Sequence, residues 1–343
     1  MTSPSAHRLV QVDALRGVAA MAVVLFHFTT RFGEMYSGNP SPTRSLPTGH
    51  YGVNLFFIIS GFVIFMTLER TKKPMDFVVS RFSRLFPAYW FAIFLTLAIT
   101  HLLGLPGKLV GLGTALANMI MIHGLFKVSH VDGVYWTLEI ELLFYCGMFL
   151  LYRLKRLHHI HTAIFALLLL RVIYWVLEHR FGISLPWILF HLLILQYIPW
   201  FALGISVYLL AHRNKTGVWL PAARTAALAI TTLLICNSVG VAMLAVVFTI
   251  LVFLATGGRL TLLCLGPFVW LGSISYPLYL IHENIGWAVM LRLLAINVPV
   301  DAAIILTLGA VLLLAGALTR WVEQPAMRWI RTQYKNKANT QPT

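Results

Sequence analysis

The feature that most constrains this chain is a series of long apolar segments separated by short polar ones. A membrane-spanning helix needs roughly 20 consecutive, mostly apolar residues. Ten segments approach that length, at residues 10–30, 51–68, 85–103, 134–152, 159–177, 187–211, 220–237, 239–257, 267–290 and 302–321. Charged residues make up only 11% of the chain, against about a quarter in a typical soluble domain. The sequence therefore predicts an all-α integral membrane protein, a bundle of about ten transmembrane helices.

The basic residues indicate how these helices are oriented, because Lys and Arg accumulate on the cytoplasmic side of membrane proteins. With the N-terminus inside, 18 of the 26 basic residues fall in cytoplasmic segments and six in outer segments. Both termini are therefore predicted to be cytoplasmic. Residues 104–133 then begin and end outside, so the short apolar piece 111–126 is expected to be re-entrant or interfacial. Since the net charge of +15 is spread over short loops, nucleic acid is not an expected partner.

The first predicted span contains ionisable residues, which are costly in a bilayer and are therefore candidates for function. Arg16 and His27 are 11 residues apart, close to three helical turns, so they share a helix face about 16 Å apart along the axis. Asp13 lies one turn before Arg16 and can pair with it. Histidine is well suited to general-base chemistry near neutral pH. His27 is thus a candidate base, and the alternative is a structural histidine that donates to a backbone carbonyl.

Two further segments carry weaker signals. Asn54 and Ser60 lie in the second span, where such residues also serve close helix packing. Arg81 and Arg84 share a face at the start of the third span. Guanidinium groups at this position suit phosphate oxygens, although basic residues there also anchor a helix at the membrane surface.

The fourth and ninth spans each carry polar residues on one face. Thr137, Glu141 and Tyr145 recur every four residues after Trp136, so Glu141 is expected to face the bundle interior. Glu139 points elsewhere, toward the outer headgroups or a nearby cation. The polar stripe of the ninth span consists of Tyr276, Tyr279, His282 and Glu283. For each of these residues the alternative is a structural ion pair or a polar group that simply faces the interior.

Taken together, six segments resemble the acyltransferase-3 family of multi-spanning acyltransferases. The spacing from Arg16 to His27 matches the family's Arg-x10-His signature. Arg81, Arg84 and Pro87 match its Arg-x-x-Arg-x-x-Pro loop. The other matching segments are Gly52–Phe62, Trp136–Tyr145, Gly272–His282 and Glu323–Pro325. The six motifs occur in the family's order, and the resemblance runs over nearly the whole chain.

The resemblance implies an acyltransferase that moves an acyl group, expected to be acetyl, from cytoplasmic acyl-CoA to a hydroxyl of a carbohydrate or lipid-linked glycan. It implies a bacterial cytoplasmic (inner) membrane protein of the stand-alone form, without a hydrolase-like domain. The transmembrane domain is expected at 9–325 and a basic cytoplasmic tail at 326–343. Acyl-CoA would be a co-substrate, with no bound cofactor. No metal site is expected, since the three cysteines lack metal-ligand spacing.

The resemblance also suggests roles for individual residues. His27 would take the proton of the acceptor hydroxyl or carry the acyl group covalently. Glu141 would orient His27 or bind sugar hydroxyls, and Arg16 would bind donor phosphate or stabilise its helix. Arg81 and Arg84 would hold the donor nucleotide. The residues expected to line the acceptor pocket are Asn54, Ser60, Trp136, Tyr145, Tyr276, Tyr279 and His282.

A transporter or flippase without acyl-transfer chemistry is the alternative function, because a bundle of spans with buried charges suits it equally well. The sequence shows no internal repeat that relates its two halves, which weighs against this class. Neither the identity of the acceptor nor the oligomeric state can be inferred from the sequence.

Overall fold

The computed structural model describes residues 4–184, 186–211 and 219–340. Within these ranges the chain is helical and contains no β-strand, which confirms the all-α prediction. The α-helices are α1 (Pro4–Phe26), α2 (Phe32–Met35), α3 (Gly52–Arg70), α4 (Pro74–Leu103), α5 (Leu112–Asn118), α6 (Trp136–Arg153), α7 (Ile160–Phe181), α8 (Trp187–Leu192), α9 (Ile198–Ala211), α10 (Trp219–Cys236), α11 (Val239–Thr256), α12 (Gly266–Ala295), α13 (Val300–Leu318) and α14 (Gln324–Thr340). Two π-helical segments, His27–Arg31 and Thr319–Glu323, continue α1 and α13.

Eight helical stretches in the described ranges are long and apolar enough to cross a membrane. They are Val10–Met35, Pro47–Arg70, Pro74–Leu103, Gly133–Arg153, Leu157–Phe181, Trp219–Cys236, Val239–Thr256 and Val300–Lys337. These stretches coincide with eight of the ten predicted spans, so the protein is a multi-pass membrane protein. The span predicted at 267–290 corresponds to the 30-residue α12, whose middle carries the polar run His282, Glu283 and Asn284.

The span predicted at 187–211 is not one continuous helix, which corrects the sequence analysis. It divides into the six-residue α8 and the 14-residue α9. The chain turns between them at Ile194, whose φ of 46° is incompatible with a right-handed helix. Pro199 follows in the first turn of α9. Backbone N–H groups in a first turn have no partner within the helix, so proline is tolerated there. Both pieces are apolar, so hydropathy alone gave no sign of the break.

The segment between α4 and α6 contains only the seven-residue α5 and short turns, so by length it does not cross a membrane. Asn118 at the end of α5 holds this segment together. Its side-chain amide donates to the Thr114 and Ser129 carbonyls, at 2.8 and 2.9 Å. Its side-chain oxygen accepts from the Val131 N–H, and its own carbonyl accepts from the Tyr89 hydroxyl of α4. The re-entrant or interfacial position of this segment stays a prediction.

The chain divides into two compact units, which we name unit 1 and unit 2. Unit 1 comprises the described residues within 1–16, 53–71 and 140–269. Unit 2 comprises those within 17–52, 72–139 and 270–343.

In unit 1, α3 and α9 approach until their backbones touch. A Cβ on Gly61 would collide with the backbone of Phe201, and a Cβ on Gly204 with the backbone of Ile58. Phe144 of α6 stacks on Phe201, with ring centroids 4.0 Å apart. Small residues permit this close approach, and the dispersion contacts it creates stabilise helix pairs in lipid.

In unit 2, the later part of α1 packs against α12 in the same way. A Cβ on Gly17 would collide with the backbone of Gly272. At Gly286 of α12, the buried ring of Phe28 occupies the space that a Cβ would need. These contacts place the end of α1 beside the polar middle of α12, and the candidate site lies there.

Candidate active site

His27 is the first residue of the π-helical segment after α1, and contacts fix both of its ring nitrogens. Nδ1 lies 2.9 Å from the Val23 carbonyl oxygen, so Nδ1 carries the hydrogen. This leaves Nε2 as the nitrogen that can accept a proton. Nε2 lies 3.3 Å from Oε2 of Glu283 in α12. A carboxylate at this distance stabilises the imidazolium that forms when His27 takes a proton.

His282 supports the same tautomer of His27 from the other side. It is fully buried, and its Nδ1 donates to the Tyr279 carbonyl at 2.9 Å. Its Nε2 therefore accepts, and it lies 3.2 Å from Nδ1 of His27. The Nδ1 hydrogen of His27 thus has acceptors on both Val23 and His282, which keeps Nε2 facing Glu283.

Glu283 is buried and has two further neighbours. Its Oε1 lies 3.7 Å from Nζ of Lys108, in the segment between α4 and α5. The same ammonium lies over the Trp287 ring at 5.3 Å, a favourable cation–π arrangement. The carboxylate rests against Gly133, where an added Cβ would lie 2.7 Å from Oε2. Lys108 and Gly133 therefore restrict the carboxylate to the position beside His27.

Asp132 ties the loop before α6 to the same part of α12. It is fully buried, and its Oδ2 accepts from the backbone N–H of Asn284 at 3.0 Å. Its Oδ1 accepts from the Val134 N–H, and the Asn284 side chain donates to the Val131 carbonyl. Burial, with the nearby charge of Glu283, raises the pKa of the Asp132 carboxyl well above its ordinary range. Asp132 thus fixes the loop that carries Gly133.

The two tyrosines of the predicted stripe contact neighbouring chain segments. Tyr276 donates its hydroxyl to the Leu85 carbonyl at 2.8 Å. The Tyr279 hydroxyl accepts from Thr137 at 2.9 Å. Both contacts lie within unit 2 and hold α12 in place.

Glu141, Ser60 and Tyr145, which the sequence analysis proposed separately, come together in unit 1. Oε1 of Glu141 accepts from the Ser60 hydroxyl at 2.5 Å and from the Tyr145 hydroxyl at 2.6 Å. The four-residue spacing predicted the second contact but not the first. Asn54 of α3 and Trp136, at the start of α6, are half-buried. The carboxylate found beside His27 is Glu283, which the sequence analysis placed in a polar stripe without giving it a role.

The extra acid Glu139 is buried, and its Oε2 accepts from the Gly124 N–H at 3.0 Å. It therefore contributes to the fold of the segment between α4 and α6. Close by, Nε2 of the buried His123 lies 2.6 Å from Nδ1 of His130. Burial and the neighbouring His130 lower the pKa of His123 to about 4.

The suggested pairing of Asp13 with Arg16 is not formed. Asp13 is exposed, Arg16 is half-buried, and no ion pair joins them in the described part of the chain. Nε of Arg16 has no hydrogen-bond partner there. Side chains three residues apart share a helix face, but for solvent-exposed side chains contact with water is often as favourable as an ion pair.

Arg81 and Arg84 are joined by a third arginine from the other end of the sequence. Arg331 of α14 donates from Nε to the Ser83 hydroxyl at 3.1 Å and from Nη2 to the Ser80 carbonyl at 3.4 Å. It lies close enough to Arg84 for the two charges to repel. Three guanidinium groups therefore lie together near the start of α4, and no local feature of the sequence predicts the third.

Lys108, Asp132 and Gly133 cannot be predicted from the sequence, because they lie in an irregular segment with no periodicity. The sequence signal that could point to this cluster is Glu283, an acid next to His282 in a membrane helix. In the described residues, no group of three or more His, Cys, Asp or Glu side chains is arranged to hold a metal ion.

Comparison with known proteins identifies the family. A family model described as an acyltransferase domain matches residues 9–320. The exopolysaccharide production protein ExoZ of Rhizobium meliloti (strain 1021) is 31% identical over 130 residues, which is 36% of this chain and 37% of that protein. Protein 2 in the picA locus of Rhizobium radiobacter is 33% identical over 114 residues, covering 31% and 54%. ORF330 of Acidianus two-tailed virus, named as a predicted acetyltransferase, is 26% identical over 216 residues, covering 61% and 60%.

The chain spans less than two thirds of the length of each of these relatives. No solved structure matches the chain. The family model nevertheless covers nearly all of the sequence and confirms the resemblance carried by the six motifs, so the chain belongs to the acyltransferase-3 family.

Proposed function

We propose that this protein is a membrane O-acyltransferase that moves an acyl group, expected to be acetyl, from acyl-CoA to a hydroxyl of a carbohydrate or glycolipid. The observation that carries the proposal is Nε2 of His27, oriented by His282 and lying 3.3 Å from Glu283 inside unit 2. Family membership supports acyl transfer. The names of two relatives, one for exopolysaccharide production and one for a predicted acetyltransferase, support the acceptor class and the acyl group.

In the proposed reaction, Nε2 of His27 removes the proton of the acceptor hydroxyl while the hydroxyl oxygen attacks the thioester carbonyl. The tetrahedral intermediate collapses as the carbon–sulfur bond breaks. The departing CoA thiolate then takes the proton from the His27 imidazolium, so His27 ends the cycle neutral. Glu283 stabilises the imidazolium between these steps. In the covalent alternative the acyl group moves first to Nε2 and then to the acceptor.

We place the charged nucleotide of the donor at Arg81, Arg84 and Arg331. Guanidinium groups bind phosphate oxygens through charge-assisted hydrogen bonds, and like charges held close together favour an anionic ligand between them. The excess of basic residues in alternate loops supports a cytoplasmic location for this end of α4, with both termini inside a bacterial inner membrane. Arg16 remains a second proposed contact for donor phosphate.

We assign the acceptor to the polar side chains of unit 1. The Glu141 carboxylate with the Ser60 and Tyr145 hydroxyls offers the mixed acceptors and donors that sugar hydroxyls need. Asn54 is a further candidate in the same unit. Trp136, which belongs to unit 2, offers an aromatic ring of the kind that packs on sugars.

The test is thiol release from acetyl-CoA by purified protein supplied with candidate glycans. His27→Gln and His27→Ala should both lower the rate by about 10²- to 10⁴-fold, the usual contribution of a general base. His101→Gln is the matched control, because His101 is an exposed histidine of α4 whose Nδ1 also contacts a carbonyl four residues earlier, at 2.8 Å. This variant should keep wild-type activity.

Substantial turnover by a correctly inserted His27→Gln variant would show that His27 has a structural role and not a catalytic one. Incubation with labelled acyl-CoA alone separates the two chemical routes, since the label stays on the wild-type protein only if an acyl-histidine forms. Glycan binding without thiol release, for every donor and acceptor tried, would instead favour the transporter or flippase.

A further inference from the structure

A groove of about 650 Å³ opens on unit 2 between α12 and the end of α13. Its apolar wall includes Ile274, Leu312 and Leu313. The volume lies within the range of about 300–1,000 Å³ that is typical of ligand sites. Leu313 is 76% exposed, and in a multi-pass protein such an apolar surface faces lipid. None of the residues assigned above to acyl transfer lines this groove.

Two arginines line the same groove. Arg320 is exposed, and Arg328 is held toward Gln324, donating to its side-chain oxygen and to its carbonyl at 3.3 Å each. In the part of the chain that the structure describes, neither arginine forms an ion pair with a carboxylate. The groove therefore combines an apolar wall with two arginines that form no ion pair with any carboxylate in the described ranges.

The local backbone and the nearby aromatic residues point to the membrane surface. Arg320 and Trp321 belong to the π-helical segment between α13 and α14, and such segments occur frequently at functional sites. Trp321 and Trp270 both line the groove, and their side chains are 72% and 47% exposed. Exposed tryptophans of membrane proteins concentrate at the level of the lipid headgroups.

We infer that this groove binds one anionic phospholipid, with the headgroup phosphate on Arg320 and Arg328 and an acyl chain along Ile274, Leu312 and Leu313. Arginine suits a phosphate with two or more accessible oxygens, and basic pockets between transmembrane helices bind anionic headgroups. The apolar wall supplies the dispersion contacts that a free phosphate could not use. The site is independent of the proposed acyl transfer.

The test is native mass spectrometry of the detergent-purified protein titrated with phosphatidylglycerol, with phosphatidylcholine of the same chains as comparison. The wild-type protein should bind one phosphatidylglycerol saturably and prefer it to phosphatidylcholine. Arg320→Ala with Arg328→Ala should weaken binding about thirtyfold, the loss expected for two contacts of about 1 kcal/mol each. Arg153→Ala with Arg156→Ala is the matched control, since it removes the same charge from two exposed arginines of unit 1.

Gly316→Leu tests the apolar wall without changing any charge. Gly316 lines the groove, and a Cβ there meets no atom within 4 Å, so leucine fits the helix and fills the space. This variant should also weaken phosphatidylglycerol binding by tenfold or more while it keeps the wild-type melting temperature. Equal weakening by the Arg153 and Arg156 control, or unchanged binding by Gly316→Leu, would overturn the inference. A polyprenyl phosphate that binds more tightly than phosphatidylglycerol would also overturn it, in favour of a lipid-linked substrate.

Discussion

Replacing Gly133 with alanine should separate Glu283 from His27 while leaving the fold intact. The added Cβ would collide with Oε1 of Glu283 and would lie 2.7 Å from its Oε2 and 2.8 Å from its Cδ, whereas ordinary contacts begin at 3.4 Å. The carboxylate must therefore move by roughly 0.7 Å or more. Because it is the far end of a flexible side chain, the movement costs little stability, of the order of 1 kcal/mol. The displacement is nevertheless large compared with the 3.3 Å contact to Nε2 of His27.

The expected consequence is a lower kcat. A misplacement of about 1 Å in a catalytic group can reduce the rate by about 10²-fold, so we expect Gly133→Ala to lose between 10- and 100-fold. The assay is thiol release from acetyl-CoA at saturating donor, with the melting temperature in detergent measured in parallel. The apparent donor KM should change little, because the nucleotide is proposed to bind at the start of α4.

Gly147→Ala provides the control for introducing alanine into the same region of the sequence. A Cβ on Gly147 of α6 would meet no atom within 4 Å, so this variant should be as active as the wild-type protein. Full activity of a well-folded Gly133→Ala variant would show that the position of Glu283 does not matter to the reaction. Loss of folding in Gly133→Ala alone would show that the steric conflict spreads beyond one side chain.

Three further predictions concern the donor site, the topology and the outer segment. Arg331→Ala should raise the apparent KM for acyl-CoA about tenfold with little change in kcat. The control Lys335→Ala, which changes an exposed residue of the same helix, should leave this KM unchanged. An unchanged KM in Arg331→Ala would show that Arg331 has a structural role only. Cysteines introduced at Asp76 and Gly182 should be labelled from opposite sides of the membrane, and labelling from the same side would refute the proposed orientation. Because the pKa of His123 falls from 6.5 to about 4 on folding, the unfolded chain binds more protons between these values. The melting temperature should therefore fall as the pH is lowered from 6.5 to 4, and this pH dependence should be weaker in His123→Asn. An equally steep fall of the melting temperature in the variant would show that other groups cause the effect.

The helical character of the chain and the positions of most membrane helices follow from the sequence alone. Whether about 20 residues cross a bilayer depends on their own hydropathy, which needs no knowledge of neighbours. His27 and Glu141 were likewise identified because an ionisable residue within an apolar run is unusual in itself. The break in 187–211 was not predicted, because hydropathy carries no information about local backbone conformation. It depends on the backbone conformation at Ile194, not on apolar content.

What surrounds His27 was decided only by the tertiary structure. The acid beside it lies 256 positions later in the sequence, and Lys108 and Gly133 come from a segment without regular periodicity. The four-residue spacing on α6 predicted only that Glu141 faces the bundle interior, because such spacing indicates contacts within one helix and gives no information about contacts between helices. Those contacts depend on where small residues let helices touch, as Gly286 does for Phe28 beside the site. The identity of the partner of His27 is therefore a property of helix packing, to which residues from distant parts of the chain contribute together.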